Sequence, residues 1–163
     1  MYMFKKIIAV VLISAAFCSM AIGCVGKSNK IPYDNVVYDN LTVTMADKII
    51  IGDNVYIRRI RTYENAVTDL SDLGVSQDTL SSYDEEYFND TELLVLAFDT
   101  CTSYKHSVAK LTLDDDLLTV YIDEQIPNPH NLLAEYKVIL IDISKGTLTD
   151  DVNIDAEFKT HIK

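Results

Sequence analysis

Alternating apolar and polar residues dominate the sequence after residue 35, most plainly at residues 118–122 and 152–158. Successive side chains of a β-strand point to opposite faces of the sheet, so a period of two predicts half-buried strands. Gly, Asp and Asn stand where these strands must reverse. We therefore predict a single domain, residues 36–163, of the α+β class. It should be mainly an antiparallel β-sheet, arranged as a sandwich or a partly open barrel, with one or two short helices.

Two stretches depart from this alternation. Residues 93–98 are apolar without interruption, which is typical of a central strand covered on both faces. Residues 63–73 carry apolar side chains at helical spacing, and Gly74 follows as a terminator. The apolar residues of this predicted helix are Ala66, Val67, Leu70 and Leu73.

Three further local signals complete the predicted domain. Residues 84–88 predict a second helical turn, capped by Ser82 or Asp84. Three consecutive aspartates at residues 114–116 predict the tip of a hairpin. The alternation at residues 152–158 predicts that the sequence ends on a strand.

The beginning of the sequence is typical of a secretion signal. Two lysines precede an apolar run, residues 7–23, which is shorter than the roughly 20 residues that a transmembrane helix needs. The letters Ala-Ile-Gly-Cys at residues 21–24 resemble the bacterial lipobox, in which a small residue precedes a cysteine that is diacylated. This resemblance implies a signal peptide over residues 1–23, cleavage between Gly23 and Cys24, and a lipid on Cys24. Ordinary cleavage that leaves Cys24 as a thiol is the alternative.

A lipid on Cys24 would anchor the domain to a membrane. Two acyl chains on one residue bury enough methylene groups for stable anchoring. Residues 24–35 are mostly small and polar and include a proline, so they are predicted to be a tether. We expect the domain to lie outside the cytoplasm, held to the cell membrane or cell surface by its lipid.

Charge limits the partners of the domain. Beyond residue 30 the sequence has 25 acidic and 10 basic residues, a net charge of −15. This charge excludes nucleic acid as a partner, because phosphate contacts require a basic surface. Anionic lipid headgroups should repel the domain within a Debye length of about 8 Å, so it should stand off the membrane.

No catalytic set can be assembled from the sequence. Cys101 is the only cysteine after Cys24, and His106 lies five residues further, which in a strand puts the two side chains on opposite faces. Asp151, Asn153 and Asp155 have the spacing of the first ligands of a calcium loop, but the Gly and Glu that complete such a loop are missing. We therefore predict a protein that is not an enzyme and holds no metal or cofactor.

Residues 83–144 resemble the C-terminal domain of the protease-complex lipoprotein PrcB. The resemblance rests on an acidic and aromatic opening, the apolar strand at residues 93–96, the turn at residues 100–104 and the strand at residues 136–143. In that family the turn often reads Thr-Gly-Gly-Tyr, whereas here Cys101, Thr102 and Ser103 stand between Thr100 and Tyr104. Since residues other than glycine tolerate a positive φ poorly, the backbone of this turn is expected to differ.

The resemblance implies a non-catalytic lipoprotein that binds or stabilises a protein partner at the cell surface, such as a protease. We expect Tyr83, Tyr87 and Tyr104 to be exposed and to contribute an interaction surface. The alternative is a small envelope enzyme or ligand-binding protein that uses the loop around His130.

Overall fold

The computed structural model describes residues 28–41, 55–129 and 133–163. The predicted signal peptide, Cys24 and His130 lie outside these ranges. The described residues form three helices and two four-stranded sheets. The helices are α1 (Tyr63–Leu73), α2 (Gln77–Leu80) and α3 (Tyr87–Asp90). The strands are β1 (Asn29–Ile31), β2 (Val36–Asn40), β3 (Tyr56–Ile60), β4 (Thr91–Cys101), β5 (Lys105–Asp114), β6 (Leu117–Ile126), β7 (Ala134–Ser144) and β8 (Asn153–Ile162).

The two sheets pack face to face as a sandwich. The outer sheet has the strand order β1-β5-β6-β8, and the central sheet has the order β2-β7-β4-β3. Alternate residues of facing strands fill the space between them, for example Leu94 and Leu96 of β4 with Val120 and Ile122 of β6. The predicted α+β class and the sandwich arrangement are therefore confirmed.

Helices cover the other face of the central sheet, and α1, α2 and α3 together are called the helical layer below. Leu93, Val95 and Ala97 of β4 belong to the same apolar cluster as Leu70 and Leu73 of α1. Residues 93–98 are each at most 4% exposed, because alternate side chains face the outer sheet and the helical layer. The prediction of a central strand covered on both faces is confirmed.

Several local predictions hold in detail. The predicted helix is α1, and Gly74 ends it with a φ of 76°. The predicted hairpin tip joins β5 to β6, with Asp115 at a φ of 52°. Of the predicted turn at residues 84–88, only Tyr87 and Phe88 lie in α3, and the Tyr87 N–H donates to Asp84 Oδ1 at 2.8 Å. Helix α2 was not predicted.

The last strand, β8, is confirmed as a strand, but it is parallel to its neighbour β6, with Leu117 opposite Asn153 and Ile126 opposite Ile162. The other five strand pairs are antiparallel. After β6 the chain crosses to β7 in the central sheet and then returns to the outer sheet. It therefore enters β8 in the same direction as β6, which an alternating pattern cannot reveal.

The prediction that residues 24–35 form a tether is wrong for residues 29–31. Asn29–Ile31 forms β1 and pairs with residues 111–113 of β5. Ile31 is 7% exposed and packs within the sandwich. Burial of this side chain and pairing to the edge of β5 bring the residues into the fold, so the domain begins before residue 36. Within the described part of the chain, no helix is long and apolar enough to cross a membrane.

Candidate binding groove on the helical layer

Helix α1 is closed at both ends by residues that satisfy its unpaired backbone groups. The Thr62 side chain accepts a hydrogen bond from the Asn65 N–H at 3.4 Å, and the N–H of Gly74 bonds to the last turn. One stripe of the helix is buried against the central sheet and consists of Ala66, Asp69, Leu70 and Leu73. Since a helix has 3.6 residues per turn, another stripe runs beside the buried one and consists of Tyr63, Val67 and Ser71.

This second stripe forms one wall of a groove of about 390 Å³, and α2 with the turn that follows it forms the other wall. Tyr63 and Val67 are each 36% exposed, although Val67 belongs to the apolar pattern that predicted the helix. The helical groove, as we call it, is lined by Tyr63, Val67, Ser71, Gln77, Leu80, Ser81, Tyr83 and Asp84.

A carboxylate of the central sheet forms hydrogen bonds to α2, the second wall of the groove. Asp39 of β2 accepts hydrogen bonds from the hydroxyls of Ser76 and Thr79, both at 2.8 Å. Burial opposes ionisation of Asp39, but these bonds and two backbone N–H donors outweigh it and lower its pKa. Ser76 in turn caps α2 by accepting from the Thr79 N–H. The groove is therefore held between two helices that are each capped.

Tyr83 and Tyr87 lie beneath this surface rather than on it. Tyr83 is 3% exposed and lines the helical groove, and its hydroxyl has no hydrogen-bond partner within the described residues. Tyr87 is partly buried, packs edge-on against Tyr83 with ring centroids 5.0 Å apart, and donates its hydroxyl to Asp142 Oδ1 at 2.8 Å. The prediction that Tyr83 is an exposed aromatic is wrong, because its ring fills the core under the helices.

Burial sets the ionisation of this tyrosine cluster. It raises the pKa of Tyr83 and Tyr87 well above the usual range, and the charge of Asp142 adds to the effect. The pKa of Asp142 is also raised, first by burial, although hydrogen bonds from Tyr87 and Asn35 act against the shift. Both phenols therefore stay protonated at neutral pH.

A second, polar cleft of about 360 Å³ lies at the edge of β5. β1 covers only residues 111–113 of this edge. Beyond them, the Tyr38 hydroxyl accepts from the Val108 N–H at 3.0 Å, and the Tyr33 hydroxyl donates to the Val108 carbonyl at 3.2 Å. The cleft is lined by Tyr38, Asp39, Asn40, Tyr104, Lys105, His106 and Lys137.

His106 has a buried side chain that contacts a carboxylate, whereas the side chain of His161, the other described histidine, is 42% exposed. The His106 side chain is 1% exposed, and Nε2 lies 3.1 Å from Glu124 Oε2 and 3.3 Å from Thr100 Oγ1. The ring packs edge-on against Phe98 at 5.0 Å. Burial lowers its pKa, while Glu124 acts in the opposite direction. From the sequence, His106 was considered only as a partner for Cys101, although its alternation with Val108 was a signal that its side chain faces inward.

Cys101 and His106 do not form a catalytic pair. Cys101 is partly buried at the end of β4, in the turn that it shares with Tyr104, whereas His106 is directed to Glu124. Tyr104 is partly exposed beside the polar cleft. The turn closes with the Tyr104 N–H donating to the Cys101 carbonyl at 2.9 Å, and neither Thr102 nor Ser103 has a positive φ.

The aspartates of the hairpin tip and the residues with calcium-loop spacing are both on the surface. Asp115 and Asp116 form the exposed turn between β5 and β6. Asn153 and Asp155 are exposed positions of β8, so the calcium-loop spacing falls on a strand. Within residues 28–41, 55–129 and 133–163, no group of three or more His, Cys, Asp or Glu side chains is placed to hold a metal ion.

Comparison with protein-family models gives no match for this chain, and comparisons with curated proteins and with solved structures give none either. Function must therefore be argued from the surface itself.

Proposed function

We propose that this protein is an extracytoplasmic lipoprotein, anchored by a lipid on Cys24, whose domain is a non-catalytic module that binds a protein partner. The observation that carries the proposal is the helical groove, where the apolar side chains of Tyr63 and Val67 remain more than a third exposed beside the buried stripe of a helix that is capped at both ends. Grooves in which exposed apolar side chains are bordered by polar ones are typical of sites of protein interaction. The resemblance of residues 83–144 to the PrcB domain is consistent with such a role.

The position of the groove suits an anchored module. Asn29 is already part of β1 in the outer sheet, so an extended chain from Cys24 spans at most about 17 Å. The helical layer lies on the opposite face of the central sheet from the outer sheet. A lipid on Cys24 would thus tether the domain through its outer sheet, and the helical layer lies across the central sheet from this attachment.

Site-specific crosslinking tests the proposal. A photoreactive amino acid at Val67, in the groove, should capture a reproducible protein partner in the native envelope. The matched control is the same amino acid at Leu117, a side chain of similar exposure (41%) on the outer sheet. If position 67 captures no reproducible protein, or only the proteins that position 117 captures, the proposal fails.

The polar cleft beside β5 favours a second candidate, the binding of a small polar ligand. Its volume of about 360 Å³ lies within the usual range for ligand sites, and Lys105 and Lys137 line it. The loop around His130, the other place considered for ligand binding, is outside the described residues. Backbone NMR shifts of Asn40 and Lys137 on titration with small carboxylates would support this candidate, and unchanged spectra would count against it.

A further inference from the structure

The helical layer has one sign of charge. Residues 63–90, which span its three helices, contain eight acidic residues and no lysine, arginine or histidine. Among the exposed acids, Asp84 lines the helical groove, Glu64 follows the groove residue Tyr63 on α1, and Asp78 follows the groove residue Gln77 on α2. We call Glu64, Asp78 and Asp84 the rim acids.

Among the residues that the structure describes, basic groups near the helical layer are seen in contact with partners other than the rim acids. Arg58 of β3 lies 2.8 Å from Asp69, which belongs to the buried stripe of α1. Lys145, after β7, donates to the Phe88 carbonyl at 2.8 Å. Lys105 and Lys137 line the polar cleft, where Lys137 Nζ lies 3.6 Å from Glu135 Oε2, and Lys110 stands over the ring of Tyr121 in the outer sheet.

Apolar contact and acidity thus coincide at one surface. The groove offers Tyr63, Val67 and Leu80 for contact with apolar side chains, and its floor includes Tyr83 with an unpartnered hydroxyl. A partner with apolar side chains alone would leave the rim acids without counter-charges. An acidic partner would be repelled, because like charges that face each other across an interface are costly.

We propose that the helical groove binds a basic segment of a partner protein, one in which apolar side chains are flanked by lysine or arginine. The apolar side chains enter between α1 and α2, and the flanking cations approach the rim acids. This inference rests on the proposed function and specifies the chemistry of the partner.

Short peptides test the inference directly. The probe is the fluorescein-labelled peptide Lys-Lys-Leu-Leu-Lys-Lys, and its binding to the full chain in a neutral detergent is measured by fluorescence anisotropy. Glu-Glu-Leu-Leu-Glu-Glu tests the sign of the charge, and Lys-Lys-Ser-Ser-Lys-Lys tests the need for apolar contact. We expect the first peptide to bind more tightly than both others. Its affinity should fall as salt rises from about 0.1 M to about 1 M, because the Debye length shrinks from about 10 Å to about 3 Å.

A rim variant locates the binding. Combining Glu64→Gln, Asp78→Asn and Asp84→Asn removes three exposed charges and keeps side chains of similar size. It should weaken binding of the basic peptide roughly tenfold, as expected for the loss of three surface ion pairs. Circular dichroism and the melting temperature check that the helices remain, because Asp84 also accepts from the Tyr87 N–H.

The matched control removes the same number of negative charges from a surface away from the groove. Asp114→Asn, Asp115→Asn and Asp116→Asn neutralise the tip between β5 and β6, and binding should be unaffected. Val67→Ser, which leaves every charge in place, should also weaken binding. The inference is overturned if the basic peptide binds no better than the acidic one, or if the tip variant weakens binding as much as the rim variant.

The crosslinking experiment separates this inference from the proposed function. A partner captured at position 67 through an acidic or uncharged segment would overturn the inference and leave the protein-binding function standing. A partner captured through a lysine-rich or arginine-rich segment supports both. If no partner is captured, the proposed function fails, whatever the peptide affinities are.

Discussion

Replacing Glu92 with alanine should lower the free energy of unfolding by about 3 to 5 kcal/mol, the cost of breaking a buried ion pair. Glu92 is the second residue of β4 and pairs with Arg59 of β3, and their side chains are only 6% and 9% exposed. The Arg59 guanidinium also donates to the carbonyls of Leu148 and Thr149, at 2.9 and 2.6 Å. Removing the carboxylate would leave a cation buried with two neutral acceptors.

The size of the effect follows from burial. A nearby exposed pair, Arg61 with Asp150, has a similar contact at 2.6 Å, but its side chains are 37% and 85% exposed. Asp150→Ala should therefore cost less than about 1 kcal/mol. Replacing both buried partners, as in Arg59→Met with Glu92→Leu, removes both charges of the pair. The free energy of unfolding of this double variant should lie within about 1 kcal/mol of the wild-type value or above it.

Urea unfolding at neutral pH measures these differences. With a slope of about 2 kcal/mol per molar urea, Glu92→Ala should move the midpoint down by roughly 1.5 to 2.5 M. The reasoning is refuted if Glu92→Ala costs no more than Asp150→Ala, or if the double variant is as unstable as the single one.

Three other predictions concern the backbone, an ionisable group and the anchor. Gly146→Ala should lower the free energy of unfolding by about 1 kcal/mol in the same urea assay, because the φ of Gly146 is 82°. An added Cβ would meet no atom within 4 Å, so the loss would come from backbone strain alone. For His106 the folded-state pKa lies below the usual 6.5, so its stabilising contribution is present above that pH and is lost as pH falls through the folded pKa. The urea midpoints of wild type and His106→Gln should therefore converge between about pH 7 and about pH 5, and a constant gap would contradict the assigned burial effect. If Cys24 carries the proposed lipid, Cys24→Ser should release the protein from membranes, as measured by fractionation and N-terminal mass, while Cys18→Ser within the predicted signal peptide should not.

Local structure was predictable where neighbouring residues decide it. The spacing of Ala66, Leu70 and Leu73 with Gly74 after them predicted α1 to the residue. The aspartates at residues 114–116 predicted a hairpin tip because a turn requires residues that accept unusual backbone angles, and Asp115 has one. These signals depend on short-range sterics and side-chain periodicity, which are complete within the segment.

The candidate site was predictable only in part. The absence of basic residues from residues 63–90 is visible in the sequence. That these residues form one layer on the central sheet is not visible there. Tyr83 was expected to be exposed as part of an interaction surface, whereas packing under α1 and α2 buries it. Val67 looked like a core residue because it fits the helical pattern, whereas it stands at the margin of the buried stripe.

The sequence by itself determined that this chain forms strands, that one strand is covered on both faces, and that the domain is strongly acidic. Those conclusions follow from alternation, apolar runs and charge counts, which every folded arrangement of the chain must respect. Only the tertiary structure decided that β8 runs parallel to β6, that Asn29–Ile31 joins the outer sheet, and that α1 and α2 leave a groove between them. Strand partners and the exposure of each side chain depend on contacts between residues far apart in sequence, and these form only when the layers pack.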